Sequence, residues 1–182
     1  MNVLKTPIEG LLVLEPQAFG DRRGFFMETY NEARYREAGI SVRFVQDNIS
    51  RSCYGVVRGL HFQRPPYSQA KLVQCIEGAV LDVAVDLRHD SPTFGQHYAV
   101  CLSADNRRQF FIPRGFAHGF SVLSETAFFM YKCDNLYHPE AEGGILLSDP
   151  ALAIDWQIPA DQRILSDKDT RHPLLTDLTP VF

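Results

Sequence analysis

AVLDVAVDL, Ala79 to Leu87, is the stretch on which the fold turns. Leu81, Val83, Val85 and Leu87 fall on one face, and Val80, Asp82, Ala84 and Asp86 on the other. A period of two is a strand, and this one predicts a core face backed by a face that offers acids to a cavity or to solvent. The same β-rich composition recurs on both sides, in VLKT, LLVLEP, GFFMETY, VRFVQDNIS, GVVRGLHF, KLVQCIEG, YAVCLSA, RQFFIP, AHGFSVL and TAFFMYK. The clearest helix signal is NEARYREAG, with Asn31 as N-cap and Gly39 just past the end. A weaker turn lies near Pro159 to Leu165. About eleven short strands with little helix predict an all-β sandwich or barrel. Without an internal repeat, low-complexity tract or linker, the 182 residues read as one domain, 1–182.

Composition narrows the function classes. The net charge is -4, and no lysine or arginine run marks a nucleic-acid track. Cys53, Cys75, Cys101 and Cys133 show no CxxC spacing. Three of the four lie in apolar strand-like runs and are expected to be reduced core residues. The start of the chain lacks a basic segment followed by an apolar one, and no apolar run is long enough to span a membrane. The expectation is a soluble cytoplasmic protein with no membrane partner. An N-terminal strand that crosses to a second copy would cover an open sheet edge, so an isologous homodimer is expected.

The chemistry starts in RGLHFQ, Arg58 to Gln63. A metal site on such a strand wants a second imidazole two residues on, but Gln63 stands there and is a poor ligand. No metal is therefore expected, and His61 suits proton transfer better. Lys71 opens the next strand, and a hairpin could bring it to the same barrel face as His61. Tyr131 ends TAFFMYK, and Asp169 sits in LSDKD. A carboxylate on the far nitrogen of His61 would fix its tautomer and raise its basicity. Each of these residues also has a plainer reading: a satisfied strand histidine, a solvated lysine, a packing tyrosine, a turn aspartate. His89 and His97 flank a Ser-Pro turn and read as solvent-facing. His138 and His172 each precede proline and read as loop residues. RRGFF and EGGI are not nucleotide loops, because neither joins a strand to a helix in a βαβ unit.

FIPRGFAHGF, Phe111 to Phe120, carries a P-x-G-x-x-H pattern. It resembles the second motif of the cupin superfamily and implies a cupin-type jelly-roll barrel. His118 then reads as a ligand-binding or structural residue. FGDRRGFFMETY, FVQDNIS, VVRGLHFQ, KLVQCIEG, LDVAVDLRHDSPTFGQ, IPRGFAHGF, YKCDN, EGGILLSDP and LSDKD follow in order. Together, from about Val3 to Pro173, they closely resemble the dTDP-4-dehydrorhamnose 3,5-epimerase family. That resemblance implies a dTDP-sugar substrate, dTDP-4-dehydro-6-deoxy-D-glucose, inverted at C3 and C5 without a cofactor. It implies His61 as base, Asp169 as its partner, Lys71 as stabiliser of the enolate oxygen and Tyr131 as proton donor. It also implies substrate contacts from Arg23, Phe25, Glu28, Gln46, Asp47, Asn48, Arg58, His118, Glu142 and Lys168. Guanidinium forks at Arg23 and Arg58 suit a pyrophosphate. Two residues depart from the family pattern: Ile49, where many members have histidine, and Leu136, where close relatives have tyrosine. The alternatives are a single-carbon epimerase on the same nucleotide sugar and a non-catalytic nucleotide-sugar-binding cupin.

Overall fold

The computed structural model describes all residues, 1–182. Its thirteen strands pair into two facing sheets and a separate hairpin. The first sheet has six strands, in the order β1 (Asn2–Lys5), β2 (Leu12–Glu15), β10 (Gln109–Ile112), β7 (Lys71–Glu77), β12 (Thr126–Cys133) and β5 (Gln46–Cys53). The second has five, in the order β13 (Glu142–Gly144), β6 (Val57–Gln63), β11 (Phe116–Val122), β8 (Ala79–Asp86) and β9 (His97–Ser103). All neighbours run antiparallel. The hairpin pairs β3 (Ala18–Asp21) with β4 (Gly24–Met27). The all-β barrel is as expected. The two strands missing from the reading of the sequence are β3, whose Ala-Phe-Gly-Asp holds no β-branched residue, and β13, three residues of which two are glycine.

The space between the sheets is filled by Val73, Val80, Phe110, Phe120, Phe129 and their neighbours. A second apolar layer lies outside the five-stranded sheet, where Leu81, Val83 and Val85 meet Ile145, Leu152 and Trp156 from the C-terminal segment. This corrects the expectation for Ala79 to Leu87. Neither face of β8 meets solvent, and both Asp82 and Asp86 are fully buried. Buried carboxylates need partners. Asp82 meets His118 at 2.9 Å. Asp86 accepts from Arg88 at 2.7 Å, Ser91 at 2.6 Å and Thr93 at 2.7 Å.

The one α-helix, α1 (Glu32–Glu37), covers the outside of the six-stranded sheet. Its Asn31 cap accepts from the Arg34 N–H at 3.3 Å, and Gly39 ends it with φ +93°. Tyr35 and Ile40 then pack on Leu14, Leu72 and Phe111. The weaker turn at Pro159 to Leu165 contains a short 3₁₀ turn, Ala160–Gln162. Cys75 and Cys133 are buried, and burial pushes both thiols up to about 11. Cys101 is exposed, as is Cys53, so only two cysteines belong to the core. The alternation around Cys101 turns it outward, towards solvent. No helix is long and apolar enough to cross a membrane.

Candidate active site

The site is organised by a bulge in β6. His118 pairs with His61, but Phe120 pairs with Arg58, so β6 carries one residue more than β11 over this span. A bulge lets residues three apart share a face. Arg58 and His61 accordingly both turn into the mouth of the barrel, while Val57, Leu60 and Phe62 pack into the outer layer. Gly59 is the hinge of this bend. Its φ is +142°, and a Cβ there would lie 2.6 Å from the Gly119 Cα.

His61 Nε2 lies 2.6 Å from Asp169 Oδ1. Burial pushes the Asp169 carboxyl up, but the His61 hydrogen bond and charge, with Ser166 and His172 adding to them, hold it below the usual carboxylate range. With Nε2–H donated to that carboxylate, the lone pair of the neutral ring sits on Nδ1. Glu142 lies beside this pair on β13. Burial raises its pKa, and contacts with Lys168 and Tyr137 more than offset that, so it too is held low. Tyr137 donates to Glu142 at 3.0 Å, and Lys168 forms an ion pair with it.

The opposite wall comes from the six-stranded sheet. Alternation along β12 puts Ala127 and Phe129 in the core and Tyr131 at the rim above them. Lys71 stands on the paired strand, with its Nζ 5.8 Å from the centre of the Tyr131 ring. Burial lowers the Lys71 pKa against the pull of Cys133, Asp82 and Glu142, and burial raises that of Tyr131. Asn48 pairs with Tyr131 across to β5, and Gln46 and Asn48 face inward. Two cavities of about 310 and 500 Å³ share His61, Lys71 and Tyr131. His118 closes the floor. Its burial lowers its pKa despite Asp82 beside it, which favours the neutral ring.

Several expected residues lie elsewhere. Asp47 alternates to the outer face of β5 and is bound there by Lys132 at 3.0 Å, so it does not line the cavity. Ile49 is on that same outer face and 61% exposed, so its departure from the family pattern removes no contact from the site. Leu136 is exposed and absent from both cavity walls, while Tyr137 lines one. Arg23, Phe25 and Glu28 are not brought to the cavity of their own chain. Arg23 pairs with Asp21, Glu28 with Arg34, and Phe25 lies under Arg107. Gln63 braces the loops around the cavity. Its amide donates to Tyr67 O at 2.7 Å and Leu136 O at 3.1 Å and accepts from the His138 N–H at 2.6 Å.

His172 is the residue the sequence reading missed. It is not a free loop histidine. Its ring packs edge-on to His61, 5.6 Å between centroids, and its Nε2 is 3.7 Å from Asp169 Oδ1. The only signal was its distance of three residues from Asp169, which is ambiguous outside a helix. His97 is likewise half-buried, not solvent-facing.

A family profile described as dTDP-4-dehydrorhamnose 3,5-epimerase matches residues 5–177. The chain belongs to the dTDP-4-dehydrorhamnose 3,5-epimerase family. Among family members, the enzyme of that name from Shigella flexneri is 56% identical over 178 residues, covering 97% of each chain. A dTDP-6-deoxy-D-glucose-3,5-epimerase from Legionella pneumophila, solved with dTDP-4-keto-L-rhamnose, superposes with a TM-score of 0.94 at 53% identity, covering 98% of this chain and 94% of that one. A 3′-monoepimerase from Streptomyces bikiniensis, solved with dTDP-quinovose, shares the fold at a TM-score of 0.87 and 34% identity, covering 94% and 86% of the two chains.

Proposed function

We propose that this chain is a dTDP-4-dehydrorhamnose 3,5-epimerase, converting dTDP-4-dehydro-6-deoxy-D-glucose to dTDP-4-dehydro-L-rhamnose. The single observation that carries the reading is a base and an acid on opposite walls. His61 stands on β6 of the five-stranded sheet, held by Asp169 from a C-terminal turn, and Lys71 and Tyr131 stand on the six-stranded sheet opposite.

A 4-keto group acidifies the C–H bonds at C3 and C5. Inversion removes a proton from one face and returns one to the other. His61 takes the proton on Nδ1, and the Asp169 carboxylate stabilises the imidazolium that forms. Negative charge then gathers on the C4 oxygen as an enolate. Lys71, its ammonium held in a dry wall, meets that charge, as an oxyanion donor does. Tyr131, which burial keeps protonated, returns a proton from the opposite face. None of these steps calls on a cofactor. Arg58 is the cavity's guanidinium for the pyrophosphate, and Gln46, Asn48, His118, Glu142 and Lys168 supply polar contacts to sugar and base.

Arg23, Phe25 and Glu28 fit this reading through a homodimer. Phe25 and Phe26 on the hairpin are 57% and 72% exposed, which suits a segment that reaches the cavity of a second copy. The chain acts as one domain, 1–182, in the cytoplasm.

The test is NMR of dTDP-4-dehydro-6-deoxy-D-glucose incubated with the protein in D₂O. Deuterium at both C3 and C5 is expected, with the L-sugar trapped by a reductase. Deuterium at one carbon only would turn the assignment towards a monoepimerase like that of S. bikiniensis. No exchange despite nucleotide binding would leave a binding protein. His61→Ala is expected to abolish exchange at both carbons while dTDP still binds, because the base is not the phosphate anchor. Residual exchange at the wild-type rate would remove His61 from its role.

A further inference from the structure

Beside the proposed base lies a side chain that the epimerisation does not use. The Nε2 atom of His172 is buried and has no hydrogen-bond partner. Buried polar atoms without partners are rare in folded proteins, and one aimed into a cluster of ligating groups invites an explanation. The cluster is His61, Asp169 and His172, whose donor atoms all lie within 4.8 Å of one another. Room for the second imidazole is made by Gly144, which pairs with His61 on β13. A Cβ at position 144 would lie 2.5 Å from His172 Nε2.

We propose that His61, Asp169 and His172 form a binding site for a zinc-class divalent cation, and that occupying it switches the enzyme off. Two imidazoles and a carboxylate are a common ligand set for such ions, with bonds of about 2.0–2.2 Å. Around one tetrahedral ion, ligand atoms stand roughly 3.3–3.5 Å apart. Here the separations from Asp169 Oδ1 are 2.6 Å to His61 and 3.7 Å to His172, with all three atoms inside 4.8 Å, so side-chain shifts of about an ångström bring them round one ion. His61 and Asp169 both line the larger cavity, which gives an ion a path to the site.

Inhibition follows from the tautomer. The base needs a free lone pair on Nδ1, with Nε2–H donated to Asp169. A cation on Nε2 takes that nitrogen's lone pair and leaves the proton of the neutral ring on Nδ1. No lone pair then faces the substrate, and Asp169 is spent on the cation. The binding claim rests on the cluster alone, while the inhibition claim rests also on His61 being the base.

The experiment uses the full chain, stripped with a chelator and then titrated with Zn²⁺ against a chromophoric competitor. Co²⁺ serves as the spectroscopic substitute. One equivalent per chain is expected, with visible Co²⁺ bands of a four-coordinate nitrogen–oxygen site and loss of epimerase turnover that chelator reverses. His172→Ala and His172→Phe, the second keeping the ring volume, remove only the weakest of the influences that hold Asp169 ionised, and the metal-free turnover of each is the reference against which its inhibition is read. Both should bind Zn²⁺ at least about tenfold more weakly, since loss of even an outer-shell partner costs about 10–100-fold. Turnover in both should resist the ion. Zn²⁺ affinity in either variant within about twofold of the parent chain, or no binding to the parent chain, would overturn the site. Binding that depends on His172 but leaves turnover intact would overturn the switch, and loss of exchange in His61→Ala then distinguishes that failure from a failure of His61 as the base.

Discussion

Tyr131 and Lys71 illustrate how burial alone can divide labour between neighbours. The same dry wall raises the pKa of the phenol and lowers that of the ammonium. A phenol kept protonated is a donor throughout the neutral range. Tyr131→Phe is therefore expected to uncouple the steps: solvent exchange of the abstracted proton should outlast net inversion. Inversion should fall by about 10²–10⁴-fold. Equal loss of exchange and inversion, followed by NMR in D₂O, would mean that Tyr131 does not act as the proton donor. Lys71 must carry its charge to meet an enolate. Because its pKa is lowered, the charge is lost at a lower pH than for an ordinary lysine, and the alkaline limb of the rate profile should lie correspondingly low. Lys71→Arg cannot deprotonate in this range. Its residual activity should persist further into alkali, and an unmoved limb in the pH profile would assign that limb to another group.

At the scale of the element, β6 is the part on which the chemistry depends. A regular strand would turn Arg58 and His61 to opposite faces, because they are three residues apart. The extra residue at Gly59 brings them together, at the cost of a positive φ and a very close approach to Gly119. Gly59→Ala must both strain the backbone and push β11 away. A loss of about 1–3 kcal/mol in unfolding free energy is expected, as for other strained non-glycine residues. Turnover should drop further than stability explains, since a shift of the bulge misaims the base. Denaturant titration and the kcat of the folded fraction measure the two effects separately. A variant of unchanged stability and rate would show that the bulge is not the hinge of the site.

For the whole molecule, stability depends on how the barrel seals its own acids. Asp86 is fully buried at the end of β8, where Arg88, Ser91 and Thr93 tie the loop towards β9. Burial raises its pKa, but those hydrogen bonds outweigh it and bring the carboxyl down to about 2. A folded pKa below the unfolded value stabilises the fold above the unfolded pKa. That contribution is lost as pH falls from about 4 through about 2. At neutral pH it is worth about 2 kcal/mol. Asp86→Asn should lose roughly that much at neutral pH, and the gap from the parent chain should narrow towards about pH 3. A gap that stays constant across this range, measured by denaturant unfolding, would mean that packing, not charge, is what Asp86 contributes.

β-rich composition, the alternation in Ala79 to Leu87 and the cap signal at Asn31 were enough to find eleven of the strands, the helix and the all-β class, because these are local properties of the chain. Ionisable side chains in apolar strands, with the order of motifs, were enough to single out His61, Lys71, Tyr131 and Asp169 as candidates. What alternation cannot say is what covers each face. Both faces of β8 are dry because the C-terminal segment around Trp156 returns to cover the outer one. Asp47 and Ile49 share a face that turns away from the cavity, and the direction of that face follows from the barrel's curvature, not from QDNIS. The bulge in β6 is visible only in its pairing with β11. His172 became a neighbour of His61 when a loop from the far end of the chain folded across β13. The sequence by itself determined which residues alternate and which chemistry they can do. The tertiary structure decided which of them meet, because contacts between strands distant in the chain depend on register and layer order, and neither is written in a local pattern.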